Sequence, residues 1–247
     1  MTEFIVVIPA RFASTRLPGK ALLDIHGKPM LQHVYERGLE SAASEVVIAT
    51  DDERIADAAE EFGAAVCMTG DYHRSGTERI AEVADLMDWP DEQVVINLQG
   101  DEPAMPAELI DQCAALLDDV TADIATLASP FQNQRDFQNP NCVKVIRDVR
   151  GHAVYFSRAA IPYSRDDGSD ERAASAALQH HGIYAYRCGV LRKFVEAEPS
   201  DLEVCEQLEQ LRALSLGMTI AVGIPATRPG TGIDTEEDLE RAKCEMA

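Results

Sequence analysis

The chain has 247 residues, 46% apolar and 26% charged, with a formal net charge of −21. That composition suits a globular protein able to bury a sizeable core, and the acidic excess disfavours nucleic acid and anionic membranes as partners. No apolar run reaches the length of a membrane span and the opening MTEFIVVIPAR lacks the basic stretch of a signal peptide, so a cytoplasmic location is expected; six cysteines without a CxxC pair speak against zinc or a disulfide framework and read mostly as small core residues.

In chain order, FIVVI (4–8) reads as a buried strand, 30–41 as a helix, VVIAT (46–50) as a strand, and 52–63 as an amphipathic helix closed by glycine, with Asp51 as its cap. AVCMT (65–69), a helix over 76–88, QVVINLQG (93–100) and a proline-led helix over 106–119 follow. This alternation argues for an α/β fold, a parallel sheet with helices on both faces. After about residue 123 the pattern changes: DIATLAS, CVKVIRD, AVYFSR and GIYAYR read as strands without long helices between them, a smaller mixed-sheet lobe carried by one domain spanning 1–247. The segment 163–177 is polar and reads as a mobile loop. Helices return at 190–198 and 201–217, then a strand at 219–226 and a last helix at 235–247.

In open parallel sheets ligands bind beyond the carboxyl ends of the strands. The loop after the first strand carries Arg11, Arg16 and Lys20 between Pro9, Pro18 and Gly19, and residues 1–28 hold a net charge of +2 inside an acidic protein. Such a loop makes an anion site, and a triphosphate suits its charge. It is neither the GxxxxGK[ST] phosphate loop nor a GxGxxG dinucleotide loop. Asp101, in LQGDEP, stands at the top of a strand, where it either holds a hard cation such as Mg²⁺ or caps a turn. In PGTGIDTEEDLERAK, Thr235 and Asp238 form a capping box, which leaves Asp234 as a candidate second metal ligand. Ser75 precedes a helix. His180, His181, Tyr184 and Tyr186 surround a strand, as ligands or as structural groups, and spacing alone makes Glu209 and Gln210 a solvated helix face.

IPARFASTRLPGKAL, SGTERIAEV, NLQGDEP, NPNCVKVI, YFSRAAIPYSR, HHGIYAYR, LEQLRAL and PGTGIDTEEDLERAK together resemble the 3-deoxy-manno-octulosonate cytidylyltransferases (CMP-KDO synthetases) over nearly the whole chain. The resemblance implies a three-layer α/β/α nucleotide-diphospho-sugar transferase fold. It also implies a homodimer formed through the lobe at about 123–188, and the reaction of CTP with the sugar acid KDO to give CMP-KDO and diphosphate for lipopolysaccharide synthesis. It further implies that Pro9, Ala10, Arg11, Arg16, Lys20, Ser75 and Gln99 surround CTP, and that Asp101 and Asp234 bind Mg²⁺ and act with Lys20 in catalysis. Arg79 or Arg158, with His180, Tyr184, Glu209 and Gln210, would form the sugar-acid pocket. Where the family reads His-Leu-Gly-Ile-Tyr, this chain has a second histidine, His181; the family histidine is assigned to His180, and the change leaves room for 8-amino-KDO. A CMP-sialate synthetase is the runner-up, disfavoured by YFSRAAIP and LEQLR.

Overall fold

The computed structural model describes residues 3–13, 17–119, 121–165, 170–230 and 232–246. In chain order it contains β1 (Phe4–Ala10), a small hairpin of β2 (Asp24–Ile25) and β3 (Lys28–Pro29), α1 (Met30–Glu40), β4 (Glu45–Thr50), α2 (Glu53–Glu61), β5 (Ala65–Met68), α3 (Gly76–Leu86), β6 (Val94–Asn97) and α4 (Ala107–Ala115). The second half contains β7 (Ile124–Pro130), α5 (Gln134–Gln138), β8 (Lys144–Arg147), β9 (Ala153–Ser157), α6 (Asp170–Ala176), β10 (Leu178–Arg187), α7 (Cys188–Glu196), α8 (Asp201–Glu206), α9 (Gln210–Ser215), β11 (Ile220–Gly223) and α10 (Glu236–Glu245).

The central sheet has the order β11-β7-β10-β6-β1-β4-β5. β1 pairs in parallel with β4 and β6, β4 with β5, and β7 with β11, whereas β10 runs antiparallel to both β6 and β7. The pattern change read after residue 123 therefore corresponds to one antiparallel strand inside the sheet and to β8 and β9, which branch from β10. Strand alternation sends Val6, Ile8, Ile96 and Leu98 to one apolar layer with α1 and α4, and Val7, Val95 and Tyr186 to the other with α3 and α7. This is the expected three-layer α/β/α arrangement. Among the described helices none is long and apolar enough to cross a membrane.

Four local expectations are corrected. Asp52, not Asp51, caps α2, its carboxylate accepting from the Arg54 backbone N–H at 3.0 Å. The segment read as a loop at 163–177 carries α6, because Ala173 and Ala177 bury themselves against Phe137. The single helix read over 201–217 is broken: Gln207 adopts a left-handed conformation (φ 52°) between α8 and α9. Of the cysteines, only Cys113 and Cys188 are buried; Cys205 and Cys244 are exposed.

The break is anchored by Arg212, 3% exposed, whose Nε and Nη2 grip both oxygens of Glu203 while Nη1 donates to the Ala197 carbonyl. Its guanidinium also lies over the Phe194 ring. Arg212→Met removes one partner of a buried pair and strands Glu203, so unfolding in urea is expected to show a loss of about 3 kcal/mol; a change within ~0.5 kcal/mol would show the pair to be dispensable.

Candidate active site

Beyond the carboxyl ends of β1 and β6 lies a cleft of ≈390 Å³, lined by residues 9–11, by Lys20, by residues 73–76 and by Gln99 to Asp101, with Arg79 and Asp234 at its walls. Its shape depends on missing side chains. A Cβ on Gly76 would stand 2.9 Å from Pro9 Cγ, and one on Gly100 3.1 Å from the Pro9 carbonyl oxygen, so the start of α3 and the end of β6 can close on β1 only with glycine there. The loop after β1 is closed by the Gly19 N–H donating to the Phe12 carbonyl, and the Phe12 ring is held under the Arg54 guanidinium, 3.3 Å from the centroid.

Lys20 is the centre of the charge arrangement. Its Nζ donates to Asp101 Oδ2 at 2.7 Å and to Asp234 Oδ1 at 3.0 Å. Burial works against its charge, but the two carboxylates outweigh this and raise its pKa. The pair of aspartates singled out in the sequence thus converges on one point at the cleft wall. The capping box of Thr235 and Asp238 is also present, and it leaves the Asp234 carboxylate outside the cap. Glu102, which no expectation from the sequence includes, is half-buried next to Asp101. Desolvation, with the nearby Asp101 charge, pushes its carboxyl up to about 8. Gly232 approaches the end of this side chain closely: a Cβ there would stand 2.8 Å from Glu102 Oε1.

Of the residues expected around a nucleotide, Pro9, Ala10, Arg11, Lys20, Ser75 and Gln99 all line the cleft, whereas Arg16 lies outside the described residues. His73 and Arg74 also line it, on the segment just before α3; His73 is fixed by Glu82, and Arg74 by Glu78.

The residues expected in a sugar-acid pocket divide. Ser75 caps α3 by accepting from the Glu78 N–H, and its Oγ donates to Glu209 Oε1 at 2.9 Å; Thr77 Oγ1 donates to Glu209 Oε2 at 3.1 Å. Glu209 is therefore docked against the cleft edge rather than solvated, and burial raises its pKa despite those two donors. Helical spacing could not show this, because α9 begins only after the break at Gln207. Burial raises the Tyr184 phenol pKa, helped by the Tyr186 and Glu209 charges. His180 packs on Tyr184 and Phe156, with ring centroids 5.3 and 5.2 Å apart. The Thr126 hydroxyl lies 2.7 Å from the Ile183 carbonyl oxygen and 3.0 Å from His180 Nε2. Burial, then the His181 charge, lowers the His180 pKa to about 3, and it is neutral at pH 7. His181 bonds Ser129 instead, and burial with the Arg228 charge lowers its pKa to about 4.

The two arginines are committed. Arg79, 4% exposed, bonds Thr69 and the Gly70 carbonyl and pairs with Asp51 at 2.9 Å, so Asp51 serves the cleft wall rather than the helix end. Arg158 does not line the cleft: Nε, Nη1 and Nη2 donate to the carbonyls of Glu206, Pro140 and Gln207 and clamp the α8–α9 break. Gln210 opens α9, half-buried beside Glu209.

The cytidylyltransferase family model matches residues 5–220, and the chain is 41% identical to a CMP:2-keto-3-deoxy-manno-octonic acid synthetase solved in complex with CTP, over 99% of this chain and 98% of that one, with a TM-score of 0.90. The chain belongs to the cytidylyltransferase family. As a cytidylyltransferase it is a nucleotidyl-transferring enzyme. Two more distant structures share its fold. One is a cytidylyltransferase from Leptospira borgpetersenii serovar Hardjo-bovis (19% identity, 98% of this chain and 86% of that chain, TM-score 0.63), and the other a 4-diphosphocytidyl-2C-methyl-D-erythritol synthase (16%, 100% of both chains, TM-score 0.66).

Proposed function

We propose that this cytidylyltransferase activates KDO: CTP and 3-deoxy-D-manno-octulosonate give CMP-KDO and diphosphate. The observation that carries this reading is the 41% identity, end to end, with the CMP:2-keto-3-deoxy-manno-octonic acid synthetase. In the reaction the anomeric hydroxyl oxygen of the sugar bonds to the α-phosphorus in line, its proton passes to solvent, and the α–β bridging oxygen leaves with diphosphate. Arg11 and Lys20 bind the triphosphate and offset charge that builds on the leaving phosphates. Ser75, Gln99 and the Pro9–Ala10 backbone hold the nucleoside. Glu209, hydrogen-bonded to Ser75 at the cleft, and the packed pair of Tyr184 and neutral His180 receive the sugar.

The donor set also suits Mg²⁺, which takes one or two carboxylates and completes its shell with water and phosphate oxygens. Asp101 and Asp234 converge on one cation already, the Lys20 ammonium. These two residues would hold the metal, which supplies charge stabilisation to the transferring phosphoryl group. The placement of His180 with Tyr184 supports its assignment to the sugar over His181. Exposed Val149, Val154 and Tyr163 within the 123–188 region support a homodimer through that lobe, and a place in lipopolysaccharide synthesis in the cytoplasm follows from the proposed product.

The test is diphosphate release from the purified protein with CTP and Mg²⁺, comparing KDO, 8-amino-KDO and sialic acid. Release with KDO at a kcat/KM at least about tenfold above the other two is expected, since a single hydrogen bond to the sugar left unmade is worth on the order of a tenfold factor. Preference for 8-amino-KDO would move the specificity to the extra histidine, and release with sialic acid alone would overturn the sugar half of the reading.

A further inference from the structure

β6 is a wholly buried strand, and Asn97 is its one polar side chain, 1% exposed. Strand alternation places Asn97 on the same face as Val95, while Val94, Ile96 and Leu98 face the opposite layer. Its neighbours across the sheet are Val7 and Tyr184. An amide in such a place loses its water and must find a partner. Asn97 finds one two residues on: Gln99 Nε2 donates to Asn97 Oδ1 at 3.0 Å. The Leu98 N–H continues the ladder to the Val7 carbonyl, so the chain stays extended between the two amides and both side chains point the same way.

This bond has a directional consequence. A carboxamide has a donor end and an acceptor end. With Nε2 tied down to Asn97, Gln99 turns Oε1 toward the start of α3, where it lies 3.9 Å from the position a Gly76 Cβ would occupy. Gly76 and Gln99 both line the cleft. The cleft is thereby offered a fixed acceptor and denied a fixed donor. Cytosine presents an amino donor on its pairing edge where uracil presents a carbonyl acceptor. A free glutamine could rotate its amide by half a turn and accommodate either base; hydrogen-bonded to Asn97 Oδ1, Gln99 keeps its oxygen toward the cleft, and turning it over requires both amides to flip together.

We infer that Asn97 is a positioning residue that fixes the Gln99 amide with its oxygen toward the nucleotide, so that the site accepts an amino-bearing pyrimidine nucleotide and rejects its keto counterpart. The inference rests on the reading that Gln99 lies against the base. Asn97 itself touches no substrate in this arrangement; it acts through Gln99.

The experiment measures kcat/KM for CTP and for UTP by diphosphate release with KDO in the wild type and in Asn97→Leu, Asn97→Asp and Gln99→Leu. Loss of a general structural support would lower both nucleotides together; loss of amide orientation changes their ratio. Asn97→Leu is expected to lower the CTP-over-UTP ratio by about tenfold, the effect of one hydrogen bond, with UTP turnover rising. Asn97→Asp keeps an acceptor for Nε2 and is expected to keep the ratio within about threefold. Should Asn97→Leu fail to fold, Asn97→Val, suited to a strand, makes the same comparison. A folded Leu or Val variant that retains the wild-type ratio while Gln99→Leu loses it overturns the inference and leaves the proposed function standing. Loss of the ratio in a folded Asn97→Asp overturns it likewise. Retention of the ratio in Gln99→Leu overturns the placement of the base, and the inference with it. No diphosphate release by the wild type overturns the proposed function itself.

Discussion

Asp101→Asn is expected to lower kcat/KM for CTP by about 10³-fold, the rate equivalent of several kcal/mol, while leaving the protein folded. The substitution is nearly isosteric and retains a carbonyl oxygen for the Lys20 ammonium, so the local hydrogen bond at 2.7 Å survives. What disappears is a negative charge at the point where two carboxylates converge. The side chain is 35% exposed, and ion pairs of that exposure contribute little to stability, so the melting temperature should move by no more than that of a ~1 kcal/mol change. Asp234→Asn should behave in the same way, because its carboxylate meets the same Nζ and is more exposed still. The measurement is diphosphate release over a Mg²⁺ series beside a thermal melt. Unchanged turnover in either variant would remove that aspartate from the proposed metal pair.

Lys20→Met is expected to lower kcat by about 10²- to 10³-fold, the range for removing one preorganised group that meets developing charge. Methionine fills the volume of the lysine stem but brings no donor and no charge. In the free protein the same change leaves Asp101 and Asp234 facing each other without the ammonium between them. Their mutual repulsion should raise the apo protein's affinity for a divalent cation, read with Mn²⁺ in the absence of nucleotide. A fall in kcat together with stronger Mn²⁺ binding is the expected pair of results. A variant with wild-type kcat would show that Lys20 is no more than a structural counter-ion.

Much of this arrangement was legible in the sequence, for a local reason. The alternation of buried strands and amphipathic helices is written in periods of two and 3.6 residues, and it runs from β1 to α4 with boundaries displaced by only a few positions. The capping box at Thr235 and Asp238 is equally local, and it isolates Asp234 by elimination. The loop cations stand out because they interrupt an acidic chain. The misreadings also have local causes. Asp51 and Asp52 are adjacent and chemically alike, and only the pairing of Asp51 with Arg79 separates their duties. α6 is a short alanine-rich helix whose apolar face is too small to register as a periodic signal, and it exists where Phe137 gives it something to cover.

By itself, then, the sequence determined the α/β layering, the position of the basic loop after the first strand, the two candidate aspartates and, through motifs spread along the chain, its resemblance to a family. Only the tertiary structure decided what meets what. Lys20 joins Asp101 and Asp234 across separations of 81 and 214 residues. Glu209 changes from an exposed helix residue to a docked carboxylate because the chain breaks at Gln207 and lays α9 against the start of α3. Arg158 is drawn away from the cleft by three backbone carbonyls, and Asn97 is bound to Gln99 beneath it. Periodicity and capping act over a few residues, so a sequence displays them directly. The placement of charges and amides depends on which buried groups must find partners once the sheet has closed, and that is settled only when distant segments are packed together.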